Sequence, residues 1–145
     1  MPLRKIGELK VPSDQAYLTE VDRFVDKLLK RIRLPSGDLD DIAIAVSEAV
    51  NNAMVHGNKL DVKKSVEIRF YVCSSYLRII VRDQGTGFSP NRVPDPRMDE
   101  NLLKASGRGI LIMHHLMDRI VFNRRKTGMQ VVMDKHCPEG CYRER

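Results

Sequence analysis

DLDDIAIAVSEAVNNAMVHG, residues 38–57, decides how the rest of the chain is read. Leu39, Ile42, Ala43, Val46, Ala49, Val50 and Ala53 recur at steps of three and four. On an α-helix that spacing gathers them into one broad apolar stripe, which must pack on a core. Gly37 and Asp38 offer a start, the acidic run Asp38, Asp40 and Asp41 suits the positive end of a helix dipole, and Gly57 offers a stop. The other side carries the chemistry. Asp41, Ala45, Glu48 and Asn52 follow one another along a narrow strip, with Glu48 and Asn52 offset by about 40° around the axis. Ile44 and Val55 flank that strip, and no Lys or Arg occurs between Gly37 and Asn58. A carboxylate beside a carboxamide, among apolar neighbours and without basic side chains, suits the wall of a cation or phosphate site. Taken alone, the pair also suits an ordinary solvated face.

Working outward toward the N-terminus, residues 15–33 place Leu18, Val21, Val25, Leu28, Leu29 and Ile32 on one stripe, a second amphipathic helix capped by Ser13 or Asp14. Leu34, Pro35, Ser36 and Gly37 break it, so the two helices should be antiparallel neighbours. Weak alternation over residues 5–11 predicts an edge strand. In the other direction, residues 65–73 and 76–82 read as a hairpin turning at Ser74 and Ser75, with Val66, Ile68, Phe70 and Val72 on one face. Residues 83–109 lose all periodicity and form a loop of unusual length, of the kind that is either functional or disordered. A short helix over 110–117 and a second hairpin, 120–123 with 129–133, follow. One apolar sheet face has to be covered by helices, which predicts an α+β two-layer sandwich with a mixed, mostly antiparallel sheet and its helices on one face.

The chain has 145 residues, enough for one domain with a real core, and its 42% hydrophobic and 30% charged content is that of a soluble fold. No apolar run reaches membrane-spanning length and no signal-peptide pattern opens the sequence, so the expected location is cytoplasmic, with no membrane partner. Three cysteines, Cys73, Cys137 and Cys141, lack framework spacing and are expected as reduced thiols, with the C-terminal residues frayed. His136, Cys137 and Cys141 lack the second ligand pair that a zinc site needs. Arg124, Arg125 and Lys126 are unaccompanied by aromatic residues, so despite the net charge of +6 no direct nucleic-acid contact is expected.

Two further elements carry chemistry. DQGTGF, residues 83–88, follows a strand: Asp83 can accept from an exocyclic amine, and Gly85 and Gly87 let the backbone approach a flat ring. Such an acceptor favours adenine over guanine, whose corresponding position is a carbonyl. SGRGI, residues 106–110, opens a helix at which Gly107 and Gly109 would let amides face an anion, with Arg108 adding a charge. Each alone is weak; the ordered set of Glu-x-x-x-Asn, Asp-x-Gly-x-Gly and Gly-x-Gly across a long loop is not.

At this point SEAVNNAMVHG (47–57), DQGTGF (83–88), VPDP (93–96), SGRGI (106–110) and HLMDRIVF (115–122) together resemble the bacterial anti-sigma factor serine kinases. These are members of the wider class with the Bergerat-type, histidine kinase-like ATPase fold. The resemblance runs from about residue 12 to 133 and implies one ATP-binding domain over 1–135 with a tail over 136–145. It further implies Glu48 as the general base acting on a serine hydroxyl, Asn52 as a ligand of Mg²⁺, and Asp83 as the reader of adenine, with Gly85 and Gly87 in the same pocket. Gly107, Arg108 and Gly109 would hold the phosphates of ATP, beneath a lid over 89–105. The implied partners are a sigma factor, a STAS-type anti-anti-sigma protein as phosphorylation substrate, and a second copy in a homodimer. His56 is expected to close the helix end rather than to act chemically. Two departures stand out: Ala105 replaces an Arg found in some members, and the last hairpin has Gly128-Met129 where the family usually has Gly-Thr. An ATP-dependent partner-binding switch with little or no kinase turnover is the alternative.

Overall fold

The computed structural model describes residues 2–85 and 109–144. Strand β1 (Arg4–Pro12) is followed by a 3₁₀ turn (Gln15–Tyr17), helix α1 (Leu18–Leu29), helix α2 (Ser36–Asn52) and a π-helical turn (Ala53–Gly57). Then come β2 (Ser65–Val72), β3 (Tyr76–Arg82), α3 (Gly109–Leu116), β4 (Arg119–Arg125) and β5 (Gly128–His136). The five strands form one sheet in the order β1-β2-β3-β5-β4, and all four neighbouring pairs are antiparallel.

The two-residue period of β2 and β3 sends Val66, Ile68, Phe70, Leu77, Ile79 and Val81 to the covered face. Val21, Val25 and Leu28 of α1 and Ile42, Val46, Ala49 and Val50 of α2 meet them there in one core. Phe24 packs edge-on against Phe70 with ring centroids 5.9 Å apart, fixing α1 over β2. Ile110 and Met113 bring α3 into the same core.

Two boundaries differ from the sequence reading for identifiable reasons. Asp14 is the cap, accepting from the Ala16 amide at 2.9 Å, but it caps the 3₁₀ turn, and the α-helix proper begins three residues later. The second helix starts at Ser36, because Pro35 presents its carbonyl to the amides of Asp38 and Leu39. It also widens into a π turn over the last five residues, closed by the Asn58 amide on the Ala53 carbonyl at 2.8 Å.

The C-terminal residues overturn the expectation of a frayed, reduced tail. A turn closed by the Cys141 amide on the Pro138 carbonyl brings the Cys137 and Cys141 Cα atoms to 5.6 Å, and the two are joined in a disulfide. Cys73 is the free thiol. Both bonded cysteines are buried, and backbone hydrogen bonds from Arg33 to Cys141 and from Arg143 to Arg31 dock the segment on the end of α1. Among the described residues, no helix is long and apolar enough to cross a membrane.

Candidate active site

Helix α2 presents Glu48 and Asn52 one turn apart on the flank that faces α3. A methyl group placed on Gly109, the first residue of α3, would sit 2.6 Å from Glu48 Oε2 and 3.6 Å from Asn52 Nδ2. The start of α3 thus lies close against both, and a side chain at position 109 would have to displace the end of the Glu48 side chain. Among the described residues, Nδ2 of Asn52 is buried with no hydrogen-bond partner. A buried amide left unsatisfied costs about 1–3 kcal/mol, so a polar ligand is the natural partner for this corner. Rotation of the amide turns its oxygen into the same space, and an oxygen there is the donor that a hard cation such as Mg²⁺ takes. The residues present therefore fit a magnesium-bound phosphate group. The positive end of α3 adds to the same field.

The helices run antiparallel, with the far end of α3 beside the near end of α2: Lys135 Nζ donates to the Leu116 carbonyl at 2.5 Å and lies 3.7 Å from Asp41 Oδ2.

Asp83, just past the end of β3, occupies a separate corner. Its Oδ1 accepts from the Gly85 and Met129 amides, both at 3.0 Å, and its own amide donates to the Met129 carbonyl at 3.0 Å. Its Oδ2 lies directly against Gly57, at the end of the π turn, where a Cβ would collide with it. Burial pushes the Asp83 carboxyl above its ordinary value, and the two amides only partly oppose this. Gly85 in turn lies against the Gly57 carbonyl. Three glycines, Gly57, Gly85 and Gly128, thus wall one half-buried carboxylate.

Gly128 is the most constrained of them. Its φ of +111° is strained for any L side chain, and a Cβ there would strike the Asp83 carbonyl oxygen. Gly128→Ala is expected to cost about 1–3 kcal/mol of stability, seen as a lowered denaturant midpoint at unchanged slope; a midpoint within error of the parent would refute this.

Beneath Asp83 lies a polar network that sequence reasoning missed. Asn58, 1% exposed, donates from Nδ2 to Ser13 Oγ at 2.7 Å and to the Ser65 carbonyl at 2.9 Å, and accepts the Gln84 amide on Oδ1 at 2.7 Å. Ser13 Oγ reaches the Lys64 carbonyl, and Gln84 Oε1 accepts the Ser65 amide. With its partners made, the network pins the residue after Asp83 to the end of α2. Its only signal in the sequence was an Asn next to the helix-ending glycine.

Of the sequence-predicted site residues, Glu48, Asn52 and Gly109 meet in one corner and Asp83 and Gly85 in the other. Nine residues of helix separate Glu48 from Gly57, about 13 Å along the axis at the α-helical rise. Gly87, Gly107, Arg108, the lid over 89–105 and Ala105 lie outside the described residues.

Residues 11–135 match the histidine kinase-like ATPase domain. The serine-protein kinase RsbW of Bacillus velezensis is 31% identical over 137 residues, which cover 89% of this chain and 84% of that protein. The protein of the same name from Bacillus subtilis matches to the same extent, and that of Staphylococcus aureus is 26% identical over 136 residues, 89% of this chain and 85% of its own. The chain belongs to the histidine kinase-like ATPase domain family. Within that family its similarity runs to the serine-protein kinases.

Proposed function

We propose that this protein is an ATP- and magnesium-dependent serine kinase that serves as an anti-sigma factor. It holds a sigma factor away from transcription and phosphorylates a serine on a STAS-type anti-anti-sigma antagonist. The observation that carries the reading is the buried, unpartnered Asn52 amide beside Glu48 at the start of α3. Family membership and the names of the relatives support it.

On this reading Asp83 accepts from the exocyclic amine of adenine at one end of α2, and Asn52 holds the metal-bound phosphates at the other. Bound Mg²⁺ supplies charge neutralisation on the phosphate oxygens. Glu48 Oε2, held against the first residue of α3, takes the proton from the substrate serine as its oxygen bonds to the γ-phosphorus and the bond to ADP breaks. ADP leaves with the electron pair, and phosphoserine and a protonated Glu48 remain. Gly107, Arg108 and Gly109 hold the phosphates in the same scheme. Homodimerisation through β1 and α1 belongs to it too, with β1 an edge strand among the described strands. The cytoplasm is the compartment in which such partners meet.

Titration calorimetry with Mg·ATP, followed by transfer of γ-labelled phosphate to a candidate antagonist, tests the proposal. Saturable heat with label appearing on a serine is the expected result. Absence of heat removes the nucleotide site altogether, and heat without transfer replaces the kinase by a partner-binding switch.

A further inference from the structure

Lys135 is 9% exposed on β5, beneath the helices and far from both corners of the site. Burying an ammonium is costly unless it is paired, and three groups converge on this one. Nζ donates to the Leu116 carbonyl, the last residue of α3, at 2.5 Å. It stands 3.7 Å from Asp41 Oδ2 and 4.0 Å from Asp38 Oδ1, both in the opening turns of α2. The cation thus satisfies a carbonyl at the negative end of one helix and meets carboxylates at the positive end of its antiparallel neighbour.

The consequence lies at the opposite end of the same two helices. Gly109, seven residues before Leu116, is the point at which α3 touches Glu48 and Asn52, and seven residues earlier on α2 than Glu48 is Asp41. The two helices therefore have equal lengths, about 10 Å each at 1.5 Å per residue, between the Lys135 clamp and the candidate phosphate corner. A helix is stiff along its axis, so axial slippage at the clamp appears undiminished at Gly109. No other side chain among those described bonds an end carbonyl of α3.

We propose that Lys135 is a positioning residue that sets the axial register of α3 against α2, and through it the spacing of the α3 N-terminus from Glu48 and Asn52. This rests on the reading of that corner as the Mg·ATP phosphate site. Lys135 touches neither nucleotide nor substrate. Its influence is carried by the placement of Gly109.

The test is calorimetric titration of Mg·ATP into the full-length parent protein, Lys135→Met and Lys135→Arg. Binding by the parent checks the underlying site, and its absence overturns that reading rather than this one. Given parent binding, Lys135→Met is expected to weaken Mg·ATP by about 2- to 30-fold with the stoichiometry per folded molecule unchanged. A merely structural lysine would lower the folded fraction, and so the stoichiometry, while leaving the dissociation constant of the surviving molecules where it was; that result overturns the proposal. Lys135→Arg keeps a cation with donors for the same carbonyl and is expected to recover part of the lost affinity. No recovery would assign the effect to side-chain shape and overturn the role of charge. Should Lys135→Met fail to fold, the double variant Asp38→Asn, Asp41→Asn loosens the same clamp from the partly exposed carboxylate side. It is expected to weaken Mg·ATP in the same direction by a smaller factor, and unchanged affinity there overturns the proposal.

Discussion

Glu48→Gln is expected to bind Mg·ATP about as well as the parent protein and to transfer phosphate about 10²–10⁴-fold more slowly. The substitution keeps the shape of the side chain and its contact with the start of α3, where Glu48 Oε2 faces Gly109. What it removes is the capacity to accept a proton. If Glu48 serves only to shape the corner, the isosteric amide should fill the same space and transfer would fall little. If Glu48 is the base, the loss falls on the chemical step, so kcat collapses while the nucleotide dissociation constant holds. Glu48→Ala separates the roles less cleanly, because it also opens a gap beside Asn52 and Gly109. Rapid mixing with labelled ATP and the antagonist reads the chemical step directly. A Glu48→Gln protein within threefold of the parent rate would remove the base from Glu48.

What the chain discloses before folding and what it withholds follow from the range of the contacts involved. The stripe on residues 38–57 and the alternation of Val66, Ile68 and Phe70 are local patterns set by helix and strand periodicity, and both elements fold as those patterns require. The pairing of Glu48 with Asn52 is likewise a one-turn relation. Gly109 joins them only because α3 lies antiparallel on α2, a long-range packing that brings Ile110 and Met113 into the same core and that no local pattern announces. Gly57 reads as a helix stop, yet its position against Asp83 is a contact across 26 residues, and Gly128 reaches the same acid across 45. The Gly128-Met129 departure is harmless to Asp83 for a reason no side-chain comparison shows, since it is the Met129 backbone that binds the carboxylate. The two C-terminal cysteines look unpaired on spacing alone, because the turn that closes the gap between them depends on a chain reversal beginning at Pro138.

Asp83→Asn is expected to weaken ATP by about 5- to 150-fold, the cost of leaving or opposing one buried polar group, and to narrow or invert the preference for ATP over GTP. Oδ1 is already committed to the amides of Gly85 and Met129, so in the variant the remaining oxygen carries those bonds and the new amino group takes the place of Oδ2. There it would confront the amine of adenine, donor against donor, while the carbonyl of guanine would find a partner. Stability should move the other way. Burial raises the Asp83 carboxyl above its ordinary 3.8 in the folded protein, so the folded state binds the proton more tightly than the unfolded chain. For an acid shifted in that sense, stability rises as pH falls through the raised value and the gain is complete once pH lies below the unfolded value. Above the raised value the folded protein carries the burial cost of the charged carboxylate, which the neutral asparagine does not bear. The parent should therefore gain stability on mild acidification in this one component, and the variant should lack it. Paired ATP and GTP titrations at neutral pH, with denaturant midpoints followed across the acidic range, measure both halves. A variant that keeps the parent's ATP-to-GTP ratio would strip Asp83 of its reading role, whatever happens to the midpoints.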